Sequence, residues 1–423
     1  MTEPARGQPT EIVEHYFRHE YGRLVSTLVR VFGVHLLETI EDSIQDALQL
    51  ALTSWSMKGA PENPGAWLYR VAYNDVLDVL RGNKVRARAA ERATGELPEY
   101  DQPPPRFTHE VADDQLRMLC VCCDERVPVE SQLVLALKTL CGFGVGEIAA
   151  ALFLTEANVR KRLERARDRL RELQIDAETP ERSALEARLG SVHTVIYLLF
   201  NAGYHSSHRE IIRRDLCLEA IRLGRLLAEH ETAALPSTFA LLALMHFHAA
   251  RLNSRVDNEG RLLLLEEQDR SQWDQELISR GCEWLQRSAT GESFSRWHAE
   301  AGIAFEHCRA PSFAATRWAE IADLYAMLEE LAPSPLNVMN RAVAVAQFRG
   351  PEAALALLAG AQPPESVLHW YLWQAVLGEL HRNAGHLEVA RTHLTLALEG
   401  ASEAERALLR ARIASCERRE SER

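Results

Sequence analysis

The chain has 423 residues, enough for two or three domains with cores of their own, and a formal net charge of −12. No apolar run reaches the ~20 residues that cross a bilayer, and the polar opening MTEPARGQPTE has no apolar signal core, so a cytoplasmic protein is expected. Eight cysteines are spread thinly, with Cys120, Cys122 and Cys123 the only cluster; this excludes a disulfide framework and predicts reduced thiols.

Apolar positions recur at helical spacing from the start. Residues 11–32 predict a first helix with Ile12, Tyr16, Leu24, Val25, Leu28 and Val31 inward. A second spans about 38–55, lined on one side by Ile40, Ile44, Ala47, Leu48 and Ala51. Its other side carries Glu41, Asp42, Gln45, Asp46 and Gln49, an acidic and amide stripe that is either solvated or a docking face for a basic partner. Pro64 opens a third helix, as its fixed φ favours, with Leu68, Val71, Ala72, Val76, Val79 and Leu80 as its core face. Along another edge run Trp67, Arg70, Asn74, Asp78 and Arg81. Aromatic, amide and guanidinium groups in one row can stack on unpaired bases and hold a separated strand, although Trp67 taken alone reads rather as a staple of the helix start into the core.

From Gly82 to Asp114 the periodicity lapses, and PEYDQPPPR, with three consecutive prolines, predicts an extended linker. Helical signal resumes at Gln115, and Pro128 to Cys141 supplies a further helix. Gly146 to Leu152 then reads as a short helix, Phe153 and Leu154 as a turn, and Thr155 as the N-cap of a second helix. In that second helix Val159, Leu163, Ala166 and Leu170 form one buried face. The other is crowded with Arg160, Lys161, Arg162, Arg165, Arg167, Arg169 and Arg171. This is the plan of a helix-turn-helix whose second helix enters the major groove.

Charge by segment qualifies that reading. Residues 1–175 hold 22 basic against 26 acidic side chains and residues 176–423 hold 26 against 34, so the basic character is local, at 160–171 and at Arg81, Lys84, Arg86, Arg88 and Arg92. An acidic remainder repels duplex at long range, which suits a DNA reader carried by a larger partner.

The segments IEDSIQDALQLAL, NPGAWLYRVAYNDVLDVLR and VPVESQLVLALKTLCGFGVGEIAAALFLTEANVRKRLERARDRL, in this order around a proline-rich linker, resemble a bacterial sigma-70-type factor of the extracytoplasmic-function class. The resemblance implies region 2 at 8–83, a linker at 84–114 and region 4 at 115–176. It implies that Asp42, Gln45 and Asp46 contact the β′ clamp of core RNA polymerase, with region 4 helping at the β flap. Trp67, Arg70, Asn74, Asp78 and Arg81 would open and read the −10 element. Thr155, Asn158, Arg160, Lys161, Arg162 and Arg165 would read the −35 element of promoter DNA.

Beyond Thr179 the pattern is almost wholly helical. VIYLLFNAGYHS, DLCLEAIRLGRLL, LLALMHFHAARLNSRVDNEGRLLLLEEQDRSQWD and SPLNVMNRAVAVAQFRGPEAALALL resemble the C-terminal extension of the sigma subfamily with a tetratricopeptide-like domain, here 180–423. Leu377, Gly378, Gly385, Ala390, Leu394 and Ala397 sit close to the spacing of that repeat, and Asn340 to Leu358, turning at Gly350, resembles a degenerate preceding unit. One departure lies in CVCCD, where the subfamily has Cys-Cys-His: Asp124 replaces the histidine. Three cysteines without a second CxxC or His pair are poor zinc spacing, and buried thiols are expected.

The C-terminal part offers polar groups but no recognisable enzyme. His205 with His208, His246 with His248, and the run EEQDRSQWD at 266–274 are its candidates. His246 and His248, two residues apart on a helix, point to different faces, and the charged run reads either as a helix-boundary network or as the lining of a groove. There is no phosphate loop, nucleophile elbow or HExxH, so no catalytic residue, metal or cofactor is expected. The fold expected is all-α throughout, with a regulatory protein or ligand acting at the C-terminal domain. Two other readings stand beside the sigma factor: an operator-binding helix-turn-helix regulator independent of polymerase, and a tetratricopeptide-type scaffold.

Overall fold

The structure, a computed structural model, describes residues 20–90, 108–152, 154–172, 182–204, 214–255, 263–361, 365–368, 370–401 and 403–421. Among them all extended regular structure is helical, so the fold is all-α. The chain forms two compact units, residues 1–234 and 235–423.

In the first unit, α1 (Tyr21–Phe32) buries Leu24, Val25 and Leu28 and stops at Gly33, whose φ of 90° lies in the region that favours glycine. Ile12 and Tyr16 lie outside the described residues. After a short 3₁₀ turn (Val34–Leu36), α2 (Leu37–Lys58) buries Ile40, Ile44, Ala47, Leu48 and Ala51, the face expected from their spacing. Each large aliphatic side chain fully withdrawn from water there stabilises the unit by about 1.5–3 kcal/mol. α3 (Pro64–Ala90) begins at the expected proline, and the Asn63 side chain accepts the Ala66 N–H at 3.0 Å. Leu68, Ala72 and Val76 are buried, joined by Tyr69 and Tyr73. Val79 is not part of that core: it is 39 % exposed.

The proline run 103–105 lies outside the described residues, but α4 (Thr108–Cys122) starts seven residues before Gln115, inside the stretch expected to be linker. It packs on α1. α5 (Val129–Thr139) follows, and here the packing is tight enough to exclude a side chain. A Cβ on Gly22 of α1 would stand 2.0 Å from the Leu140 carbonyl oxygen. α6 (Val145–Ala151) and α7 (Glu156–Glu172) complete the helix-turn-helix pattern.

Two more helices belong to this unit. α8 (Arg182–Tyr204) packs on α4 and α5, and α9 (Arg214–Glu229) packs on α8 and α4. The compact division falls after Ala234, so α8 and α9 lie in the first unit although they follow residue 180.

The second unit stacks its helices largely in sequence. It contains α10 (Pro236–Ala250), α11 (Gln275–Ser288), α12 (Arg296–Arg309), α13 (Trp318–Leu331), α14 (Pro335–Arg349), α15 (Pro351–Gly360), α16 (Glu365–Leu368), α17 (Tyr371–Ala384), α18 (Leu387–Leu398) and α19 (Glu403–Ser421). Gly350 and Gly385, at φ 86° and 83°, make the turns α14–α15 and α17–α18. Gly378 lets α17 and α18 approach: a Cβ there would meet Leu394 Cγ at 2.7 Å. Ala390, Leu394 and Ala397 are fully buried behind it.

Candidate nucleic-acid interface

The second helix of the helix-turn-helix forms as its sequence predicts. The Asn158 backbone N–H donates to Thr155 Oγ1 at 3.2 Å, which is the cap, and Val159, Leu163, Ala166 and Leu170 are buried. In the preceding helix the Gly144 N–H donates to the Glu147 carboxylate at 2.8 Å, closing the first turn of α6. Phe153, expected in the turn, lies outside the described residues.

On the outer face Thr155, Asn158, Arg160, Lys161 and Arg165 are exposed and Arg162 is half-buried. Arg160 pairs with Glu156 one turn back at 2.8 Å, and Arg162 donates to Asn158 Oδ1 at 3.1 Å. Lys161 and Arg165 carry neither an ion pair nor a hydrogen bond among the described residues. Exposed pairs of this kind hold little energy, so the N-terminal half of α7 offers cations that phosphates can take over.

The C-terminal half of the same helix is already engaged. Arg167 pairs with Glu41 and, at 3.3 Å, with Glu38; Arg171 reaches Glu38 at 2.7 Å. The Thr139 hydroxyl donates to the other Glu41 oxygen at 2.9 Å. Glu41 is thus a correction to the acidic stripe. It is 1 % exposed, turned into the unit, and its charge is compensated by Arg167, because an ionised carboxylate withdrawn from water needs a cationic partner. Arg167 is likewise drawn off the basic face.

What remains of the stripe is intact: Asp42, Gln45, Asp46 and Gln49 are exposed along one edge of α2. Partial burial and then the Glu38 carboxylate push the Asp42 carboxyl above its ordinary value, with Arg167 opposing. On α3, Arg70, Asn74, Asp78 and Arg81 are exposed in a row, Arg81 pairing with Asp78 at 3.4 Å. Trp67, at the head of the row, is half-buried and meets Trp55 edge to face at 5.4 Å. It anchors the start of α3 while keeping part of its ring in solvent. The side chains of Lys84, Arg86, Arg88 and Arg92 lie outside the described residues.

The CVCCD segment is a structural joint. Cys120, Cys122 and Cys123 are buried, and burial pushes the Cys120 thiol up to about 12, so these are inert free thiols. Asp124 is fully buried, with Arg126 on it through Nε at 2.8 Å and Nη2 at 2.9 Å and Arg188 of α8 at 2.6 Å. Burial alone would raise that carboxyl, but hydrogen bonds from the Arg126 side chain and backbone, then the Arg188 charge, outweigh it and hold the carboxyl below its ordinary value.

In the second unit the EEQDRSQWD run forms helix boundaries. Asp269 accepts the Ser271 N–H at 2.9 Å, Asp274 caps α11 by accepting the Leu277 N–H at 3.0 Å, and Arg270 donates to the carbonyls of His307 and Ala310. Trp273 is buried with the Arg251 and Arg270 guanidiniums over its ring. His246 is buried, its Nδ1 2.7 Å from the Leu242 carbonyl oxygen, whereas His205 and His208 lie outside the described residues.

Residues 188–289 match a family described as a family of unknown function, DUF6596. That segment runs from α8 to the end of α11 and so spans the junction of the two units. An uncharacterized protein of Rhizobium meliloti (strain 1021) is 35% identical over 401 residues, covering 91% of this chain and 92% of the relative. No solved structure matches the chain. No helix among the described residues is long and apolar enough to cross a membrane.

Proposed function

This chain belongs to the family of that uncharacterized Rhizobium protein, and we propose that it acts as a dissociable promoter-specificity subunit of bacterial RNA polymerase, a sigma factor of the extracytoplasmic-function class. The observation that carries the proposal is the exposure, on one compact unit, of two different polar edges. One is a capped helix with Arg160, Lys161 and Arg165 outward, suited to duplex phosphates and base edges; the other is the Arg70–Asn74–Asp78–Arg81 row, suited to a separated strand. An operator-binding regulator needs only the first.

In this reading α7 reads the −35 element, α3 with Trp67 opens and reads the −10 element, and Asp42, Gln45 and Asp46 on α2 meet the β′ clamp. Polymerase supplies the chemistry, and the acidic balance of the chain makes promoter binding depend on it. The second unit regulates the first in cis.

Run-off transcription from genomic fragments with core polymerase tests this directly. Start sites should appear only when the full chain is added and should vanish for Lys161→Glu with Arg165→Glu. Failure to bind core polymerase, with sequence-specific duplex binding by the chain alone, would replace the proposal with the operator-binding regulator.

A further inference from the structure

The second unit contains an open apolar cavity of about 410 Å³ walled by α14, α17 and α19, with Leu264 at its edge. Its shape follows from how α17 and α19 are joined. At one end the Tyr371 hydroxyl donates to Glu405 Oε1 at 2.8 Å; two turns along, Arg412 donates to Glu379 Oε2 at 3.1 Å. Between these polar braces stand Leu372, Ala375 and Val376 on α17 and Leu408 and Leu409 on α19. The braces hold the helices at a separation that these short side chains do not fill.

Size and charge together define what fits. A volume of a few hundred Å³ is that of a small-molecule site, and its walls are mostly aliphatic, with Tyr371, the Glu405, Glu379 and Arg412 braces and the amides of Gln347 and Asn383 as the polar lining. The charged groups that line it are already engaged: Glu379 takes both Arg382 and Arg412, and Glu405 accepts the tyrosine hydroxyl. An ionic ligand would have to leave water and displace one of these partners to gain a counter-charge, whereas a neutral one disturbs none of them and has less hydration to lose. Gln347 and Asn383, exposed lining residues, offer amides to a hydroxyl or amide group. Leu264 and Leu408, 37% and 38% exposed, leave the apolar interior open to solvent.

We propose that this cavity between α14, α17 and α19 binds a neutral aliphatic small molecule, a carbon chain or alicyclic body with one uncharged polar end. The inference stands on the second unit alone, so it and the transcription reading succeed or fail separately.

The test uses the full chain with N-phenylnaphthylamine, a neutral dye whose emission rises in apolar sites, displaced by decanol, decanoate or decylammonium. Decanol should displace the dye at concentrations at least about tenfold below either charged analogue. Ala375→Trp, which fills the cavity, should weaken dye binding at least about tenfold with the thermal transition retained. Leu408→Glu, at the exposed rim, should weaken decanol and strengthen decylammonium, a reversal that unfolding cannot mimic. Absent dye binding, unchanged binding in both variants, or displacement by a charged analogue as good as by decanol would each overturn the proposal.

Discussion

The two units are held together in different ways. In the first, residues far apart in sequence are tied by polar bridges. Arg30 meets Asp114, Thr139 and Arg167 meet Glu41, Arg171 meets Glu38, Arg188 meets Asp124 and Arg222 meets Gln115, across separations of 84, 98, 126, 133, 64 and 107 residues. In the second, apolar side chains form successive clusters between neighbouring helices, and the ion pairs that join helices among the described residues, Arg317 to Glu306, Arg341 to Glu329, Arg412 to Glu379 and His386 to Glu352, link helices close in sequence. A unit closed by distant bridges needs both ends of its sequence before those bridged groups are satisfied. A stack of neighbours can gain stability helix by helix.

The largest test of that contrast is a pair of truncations. Ending the chain at 178 removes α8 and α9, which carry Arg188 and Arg222, and leaves Asp124 and the faces of α4 and α5 uncovered. Residues 1–178 should fail to give a cooperative thermal transition, whereas residues 1–234 should unfold in one step. Transcription by a truncation ending at 178 would therefore report a lost core and say nothing about regulation; 1–234 is the fragment to compare with the full chain.

Next in size is Asp124→Ala. Removing a fully buried carboxylate from two guanidiniums should cost about 3 kcal/mol or more, read as a shift in the denaturant midpoint. The same group sets an acid limit. Its carboxyl is held low in the folded chain, so its contribution is complete above the ordinary carboxylate range and is lost as pH falls through the lower folded value. His193 acts at higher pH. Burial lowers it to about 4, so the unfolded chain takes up a proton from about pH 6.5 downward while the folded chain resists until about 4. Stability should decline across that window by up to about 3 kcal/mol, and His193→Asn should flatten the decline. A profile that stays steep in this variant would place the sensitivity elsewhere.

Smaller effects should separate backbone from side-chain crowding. Gly22→Ala drives a Cβ onto the Leu140 carbonyl, part of the backbone, whereas Gly378→Ala meets the Leu394 side chain, which can shift. Both should lower the melting temperature, by about 1–3 kcal/mol equivalent, with Gly22→Ala the more costly. The reverse order would mean that the α17–α18 contact is the stiffer one.

How much of this could be read from the sequence follows the same divide. Helices with a clean apolar stripe were legible, and so was the cap: α2, α7 and the turns at Gly350 and Gly385 stand where spacing puts them. Glu41 was not, although a signal existed. It lies one turn before Ile44 and two before Leu48, on their buried face, and a carboxylate there demands a cation. Local spacing reveals that demand but not Arg167, which comes from 126 residues away. The boundary at 234 was hidden for a related reason: periodicity shows that α8 and α9 are helices, not which core they cover. The row on α3 was visible as a pattern, and the partial burial of Trp67 against Trp55 came from a neighbouring helix.

The smallest expected change in stability belongs to Arg165→Glu, and it is the most telling about the interface. Arg165 is exposed on α7, on the side away from Val159, Leu163, Ala166 and Leu170, and engages no partner among the described residues. Reversing its charge should therefore move the unfolding free energy by no more than about 0.5 kcal/mol. At a duplex the same change replaces an attraction to phosphate with a repulsion, so promoter-dependent initiation should fall at least about tenfold while binding to core polymerase persists. Arg167→Glu should do the opposite in kind, costing stability because it sets a second carboxylate against buried Glu41. If Arg165→Glu left initiation unchanged, the exposed half of α7 would be a solvated face, and the basic helix would serve only to hold α2 and α7 together.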